Sequence, residues 1–115
     1  MSYDITISVK VEGIDRYIGI ATPEHDCPTY NLGDMFRACM DWDYSQGDYY
    51  KCSEIIGKIE RGISELRYNR REYEQFSPPN GWGDIDGALR TLISIRKCIY
   101  EEAKRIPIEH LYLSW

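Results

Sequence analysis

Residues 4–11 read DITISVKV, and their alternation decides the fold. Ile5, Ile7, Val9 and Val11 fall on one side of an extended chain, and Asp4, Thr6, Ser8 and Lys10 on the other. A period of two with one apolar side is the pattern of a half-buried strand. Working outward, Glu12-Gly13-Ile14-Asp15 is a turn candidate and Arg16 to Ala21 a second apolar run, so a hairpin is expected. The period then changes. Cys52, Ile56, Ile59, Ile63 and Leu66 recur at steps of four and three, with Ile55 beside them, which predicts a helix of at least four turns. Gly57 and Gly62 each weaken that helix by ~1 kcal/mol relative to alanine, so a close neighbour is expected at both. Asp84 can cap a last helix whose buried face is Ile85, Ala88, Leu89, Leu92, Ile95, Ile99 and Ala103. Pro107 ends it, and Ile108 to Trp115 reads as a final strand.

Between these elements, 22–30 is a loop with Pro23 and Pro28, and Asn31 can cap a short helix bearing Leu32, Met35, Phe36, Cys39 and Met40 on one face. The stretch DWDYSQGDYY, Asp41 to Tyr50, has no period and reads as a loop of rings and aspartates. Asn69 to Phe76 is a short extra turn, and Ser77 to Gly83 breaks the chain again. The order β-β-α-α-α-β predicts an α+β fold. An N-terminal β-hairpin and a C-terminal strand share one small sheet, with three helices packed on one face. The last strand can lie beside either hairpin strand. One domain, 1–115, accommodates the whole chain.

The net charge of −5 argues against general nucleic-acid binding, which needs a basic footprint. The charge is uneven: residues 1–50 sum to −6 and residues 51–115 to +1, so the second half can still build a local arginine site. No apolar run approaches the ~18 residues of a membrane span, and MSYDITISVK lacks a signal peptide's apolar stretch. A cytoplasmic protein is expected. Cys27, Cys39, Cys52 and Cys98 show no paired spacing and read as reduced thiols. No metal site is expected, because His25 and Cys27 are the only close pair of ligand types.

Each constellation has a structural and a functional reading. Tyr30-Asn31 is a ring under a helix cap, or an amide and a ring at an anion or nucleotide pocket. Asn80-Gly81-Trp82-Gly83 is a tight turn with a core plug, or a backbone that admits a ligand while Trp82 stacks on it. Arg67, Arg70 and Arg71 are a solvated helix end, or a planar fork for phosphates. The rings of the acidic loop, Trp42 and Tyr44 among them, are surface decoration, or stacking faces whose aspartates hold ribose hydroxyls. His25-Asp26-Cys27 makes a poor catalytic pair, since adjacent side chains point apart. Asp84 with Asp86, and Glu101 with Glu102, read as capping and solvent-facing carboxylates, although a hydrolase could use such pairs.

Thr29-Tyr30-Asn31-Leu32-x-x-Met35-Phe36, and Phe76-x-x-Pro79-Asn80-Gly81-Trp82-Gly83 before an apolar helix, resemble segments of a family of small phage and prophage proteins. The resemblance implies a phage or bacterial cytosolic setting, that of an infected host, and implies no reaction. Size, the poor catalytic sets and rings interleaved with Asp and Arg lead to one expectation. The chain is a non-enzymatic binding protein, without a cofactor, that sequesters a small nucleotide-like immune signal. By analogy, small phage proteins that sequester immune nucleotides form a class. Its ligand-binding residues would be Tyr30, Asn31, Trp42, Tyr44, Arg67, Arg70, Arg71, Asn80 and Trp82, with Tyr30, Asn31, Trp82 and one of the three arginines converging near the Trp42–Tyr50 loop. The alternative is a protein-interaction module that inhibits a host enzyme by docking on it. A homo-oligomer is expected, because a three-stranded sheet leaves two edges and the rings exceed one core's needs.

Overall fold

A computed structural model describes residues 3–25, 28, 30–78 and 83–115. The alternating stretch forms β1 (Thr6–Lys10), and the second run forms β2 (Tyr17–Ala21), paired antiparallel through a turn with Gly13 at φ +83°. A left-handed backbone favours glycine at that point. A 3-10 turn, Tyr30–Leu32, leads into α1 (Gly33–Met40). Next come β3 (Tyr49–Lys51), α2 (Cys52–Tyr68), α3 (Arg70–Tyr73), α4 (Ile85–Glu102) and β4 (Leu111–Ser114).

The fold is α+β, with an open antiparallel sheet in the order β2-β1-β4-β3. Four strands form it rather than the three expected. The Tyr49-Tyr50-Lys51 segment is too short to display alternation, and its ladder partner, β4, lies more than sixty residues away. The last strand takes the place beside β1, with Ile7 opposite Leu113 and Val9 opposite Leu111. Four helices replace the expected three, the extra turn after α2 being the short α3 followed by a 3-10 turn.

α2 packs on β3 and β4 and is flanked by α1 and α4. The core gathers Ile5 and Ile7 of the first strand region, Leu111 and Leu113 of β4, and the stripes of three helices. On α2 the buried residue is Ile55, with Ile56 half-buried, so the stripe is rotated from the expected phase. α4 begins as expected, with Asp84 Oδ1 accepting the Gly87 N–H at 2.7 Å. α1 does not: its cap position is Leu32, which makes no side-chain cap bond, and Asn31 sits within the preceding turn.

The two α2 glycines differ. A Cβ on Gly62 would lie 2.8 Å from both Leu92 Cδ1 and Met40 Cγ, so this is where α1, α2 and α4 pack closest. Gly57 is exposed with open space around it, which corrects the expectation of a close neighbour there. Gly57→Ala is therefore expected to stabilise the protein by about 1 kcal/mol, the helix-propensity difference. Gly62→Ala must displace buried side chains, and overpacking of ~1–3 kcal/mol cancels or exceeds that gain. Chemical denaturation of both variants checks the contrast; an equal gain in both would refute it.

A second cluster, of rings, closes the end of the core beside α1 and β3. Trp115 lies 4.5 Å from Tyr44 in a stacked pair, 5.3 Å from Phe36 and 5.9 Å from Tyr3, and Tyr44 Oη donates to Tyr3 Oη at 3.0 Å. The Gly47 N–H donates to the Trp115 carbonyl at 2.7 Å, which ties the acidic loop to the chain after β4.

Candidate functional site

The residues of the expected site fall into three groups. Trp42 and Tyr44 belong to the ring cluster. Tyr44 is 2% exposed, stacked on Trp115 and with the Arg37 guanidinium 4.4 Å from its centroid, so neither residue leaves it a face for a ligand. Burial, with the hydrogen bond to Tyr3 second, pushes its phenol well above the ordinary tyrosine range. Trp42 is half-buried, edge-on to Tyr50 at 4.7 Å. The loop thus turns Trp42 and Tyr44 inward and exposes Asp41, Asp43 and Asp48. Its expected role as a stacking lid is corrected: rings this large stabilise more by burial than by waiting for a ligand.

Asn31 is exposed, and Tyr30 contributes its backbone to the 3-10 turn. Asn80 and Trp82 lie outside the described residues, as do Asp26 and Cys27. Of the other cysteines, Cys39, Cys52 and Cys98 are free thiols. Among the described residues no three His, Cys, Asp or Glu side chains gather as metal ligands.

The third group is the arginines. Arg67, Arg70 and Arg71 line a shallow cleft of about 370 Å³ at the α2–α3 joint, together with Tyr68, Asn69 and Glu72. α2 ends there because Asn69 leaves helical geometry at φ −123°, ψ +38°, and the chain restarts at once as α3. That break swings Arg70 and Arg71 to the cleft from a separate turn. Arg70 Nη2 meets Asp86 Oδ1 of α4 at 2.8 Å, an exposed pair worth at most ~1 kcal/mol. Arg67 and Arg71 have no carboxylate partner among the described residues. Tyr68 is 78% exposed beside them. A flat ring and two unengaged planar cations within one cleft are complementary to a base and its phosphates.

Sequence reasoning named the arginines and missed Tyr68. A signal was available: Tyr68 stands two residues past Leu66, the last of the apolar stripe, and so points away from the core. The expected convergence of arginines and acidic loop does not occur. Trp42 packs against Tyr50, at the start of α2, while the arginines sit at its end, roughly 24 Å of helix away.

The sheet's outer surface carries a further ring cluster. Tyr17 of β2 and Tyr49 of β3 stack at 3.9 Å and 4°, with Tyr112 edge-on to Tyr17 at 5.1 Å. Three strand spacings of roughly 4.8 Å separate the two edge strands, so a flat sheet would keep these rings apart. The twist brings opposite corners together, on the face that also carries Ser8, which is buried and lies opposite Tyr112. A cleft of about 760 Å³ adjoins them, lined by the hairpin turn, His110 and Tyr112.

No protein-family model, no curated protein and no solved structure matches the chain.

Proposed function

We propose that the chain is a non-enzymatic binding protein that captures a nucleotide-like ligand in the arginine cleft at the α2–α3 joint. One observation carries the reading: Arg67, Arg70 and Arg71 line one cleft together with Tyr68, which is exposed. Guanidinium groups take phosphate oxygens in paired hydrogen bonds, and the tyrosine face takes the base. Arg70 would exchange Asp86 for the ligand, which the weakness of an exposed ion pair permits. In the phage setting implied by the resemblance, such capture would withhold a nucleotide immune signal from a bacterial defence in the host cytoplasm.

A thermal-shift screen against cyclic nucleotides and ADP-ribose derivatives tests this. A ligand at a hundred times its dissociation constant adds ~2.7 kcal/mol to stability, a rise of several degrees. Arg67→Ala and Arg71→Ala are each expected to weaken binding by about 1.5–3 kcal/mol, roughly tenfold to a hundredfold, with little change in the unliganded melting temperature. Stabilisation that survives loss of both arginines would reject the site. The second reading, an inhibitor docking on a host enzyme, rests on the exposed Asp41, Asp43 and Asp48. It predicts co-purification with a protein, weakened when those aspartates are neutralised, and no nucleotide-induced shift.

A further inference from the structure

The two edges of the sheet are built differently. β3 is three residues long, carries Lys51 and runs directly into α2, which blunts that edge. β2 is five residues, YIGIA, without charge or proline. Among the described residues only β1 pairs with it, and Ile18, 51% exposed, stands on it with Ile14, 54% exposed, in the adjoining turn. Two of the few exposed large apolar residues among those described therefore lie on this strand and its turn.

The ladder fixes which backbone groups are available. The Arg16 carbonyl accepts the Val11 N–H at 2.7 Å, and Val9 lies opposite Ile18 in the same register. By the alternation of an antiparallel pair, Arg16 and Ile18 turn their backbone groups to β1, and Tyr17 and Gly19 turn theirs outward. The register shifts between Ile7 and Ser8, a bulge that ends the regular edge after Gly19. The free edge thus offers one short, defined set of hydrogen-bonding groups.

We infer that β2 is a self-association edge and that its occupant is β2 of a second copy of this chain, run antiparallel about a two-fold axis at Ile18. In that register Tyr17 of each copy exchanges backbone hydrogen bonds with Gly19 of the other. Ile18 then meets its own counterpart in the closer, non-hydrogen-bonded type of pair. The strand is uncharged, so the two-fold opposes no like charges within it. At a distance the copies still repel through their net charge of −5 each, which salt screens. Three paired residues a side bury less than the ~1,600 Å² of a standard stable interface, so the association is weak and concentration-dependent.

Sedimentation velocity over micromolar to millimolar protein is the test. The mass should rise from 13.5 kDa toward twice that value, and rise further with added salt. Ile18→Lys should raise the dissociation constant by roughly a hundredfold or more, because it replaces an apolar contact by two opposed charges. Its melting temperature at low concentration should stay near that of the parent chain. Ile18→Cys, on mild oxidation, should give an inter-chain disulfide absent from the parent chain treated alike, since facing residues of that pair lie within disulfide reach. A mass of 13.5 kDa at every concentration, a dimer that Ile18→Lys leaves intact, or the absence of that cross-link would each overturn the inference.

Discussion

Trp115→Ala is expected to destabilise the protein by about 3–5 kcal/mol, the usual cost of emptying a buried tryptophan site. For a domain of this size that is a fall of roughly 12–30 °C in melting temperature. The reason is the position of the ring. Trp115 is 2% exposed and touches Tyr3 before β1, Phe36 of α1, and Trp42 and Tyr44 of the acidic loop. Its carbonyl also holds the Gly47 N–H, so loss of the ring loosens the acidic loop and the edge strand β3 that follows it. Trp115→Phe should cost much less. The indole Nε1–H is buried without a hydrogen-bond partner among the described residues, and an unpaired buried donor carries a penalty of about 1–3 kcal/mol. Phenylalanine removes that donor and keeps most of the ring contacts. Near-UV circular dichroism melts of the two variants decide the matter. An alanine variant losing under about 2 kcal/mol, or a phenylalanine variant as damaged as alanine, would show that the ring cluster does not anchor this end of the core.

The elements legible in the sequence are those whose periods are long and whose signals are local. DITISVKV fixes β1 through alternation, and the turn at Gly13 fixes its pairing with β2. The α4 cap at Asp84 was readable because a capping carboxylate acts within three residues. β3 was not readable. Tyr49, Tyr50 and Lys51 gain their extended conformation from β4, and a partner distant in sequence leaves no trace in three residues. The phase error on α2 has a related cause: with Ile55 and Ile56 adjacent, the choice between them is made by what α2 packs against.

The candidate site shows the same division. Arg67, Arg70 and Arg71 were visible as a local cluster, and the break at Asn69 does gather them in one cleft. Trp42 and Tyr44 were visible as rings, but composition does not say which way a ring points. Their burial depends on Trp115 and Tyr3, contributed by the two ends of the sequence. The Tyr17–Tyr49 stack was wholly hidden, since it depends on sheet curvature rather than on any segment.

The protein is also expected to lose stability between about pH 9 and pH 12. Burial pushes the Cys39 and Cys52 thiols up to about 12 from the ordinary 9.0, with the nearby Cys98 adding to the effect on Cys52. Below the ordinary value both thiols are neutral in the folded and unfolded chain, and their contribution is complete. Above it the unfolded chain releases these protons while the folded one keeps them. The folded state then binds more protons, so stability falls as pH rises, until the folded thiols themselves ionise. At about pH 11 each of the two has lost a few kcal/mol, about two units at 1.36 kcal/mol per unit. Their sum, ~5 kcal/mol, is a large part of the ~6–17 kcal/mol typical for a chain of this length. Tyr44, raised in the same direction by its burial, adds to the fall. Urea unfolding at about pH 8, 10 and 11 should therefore show a midpoint that drops steeply across the series. Cys39→Ala, though weaker near neutrality through the small space it leaves, should drop less over the same interval, because one of the titrations is gone. A midpoint level across the series, or a Cys39→Ala drop equal to that of the parent chain, would show that the thiols do not govern the alkaline limit.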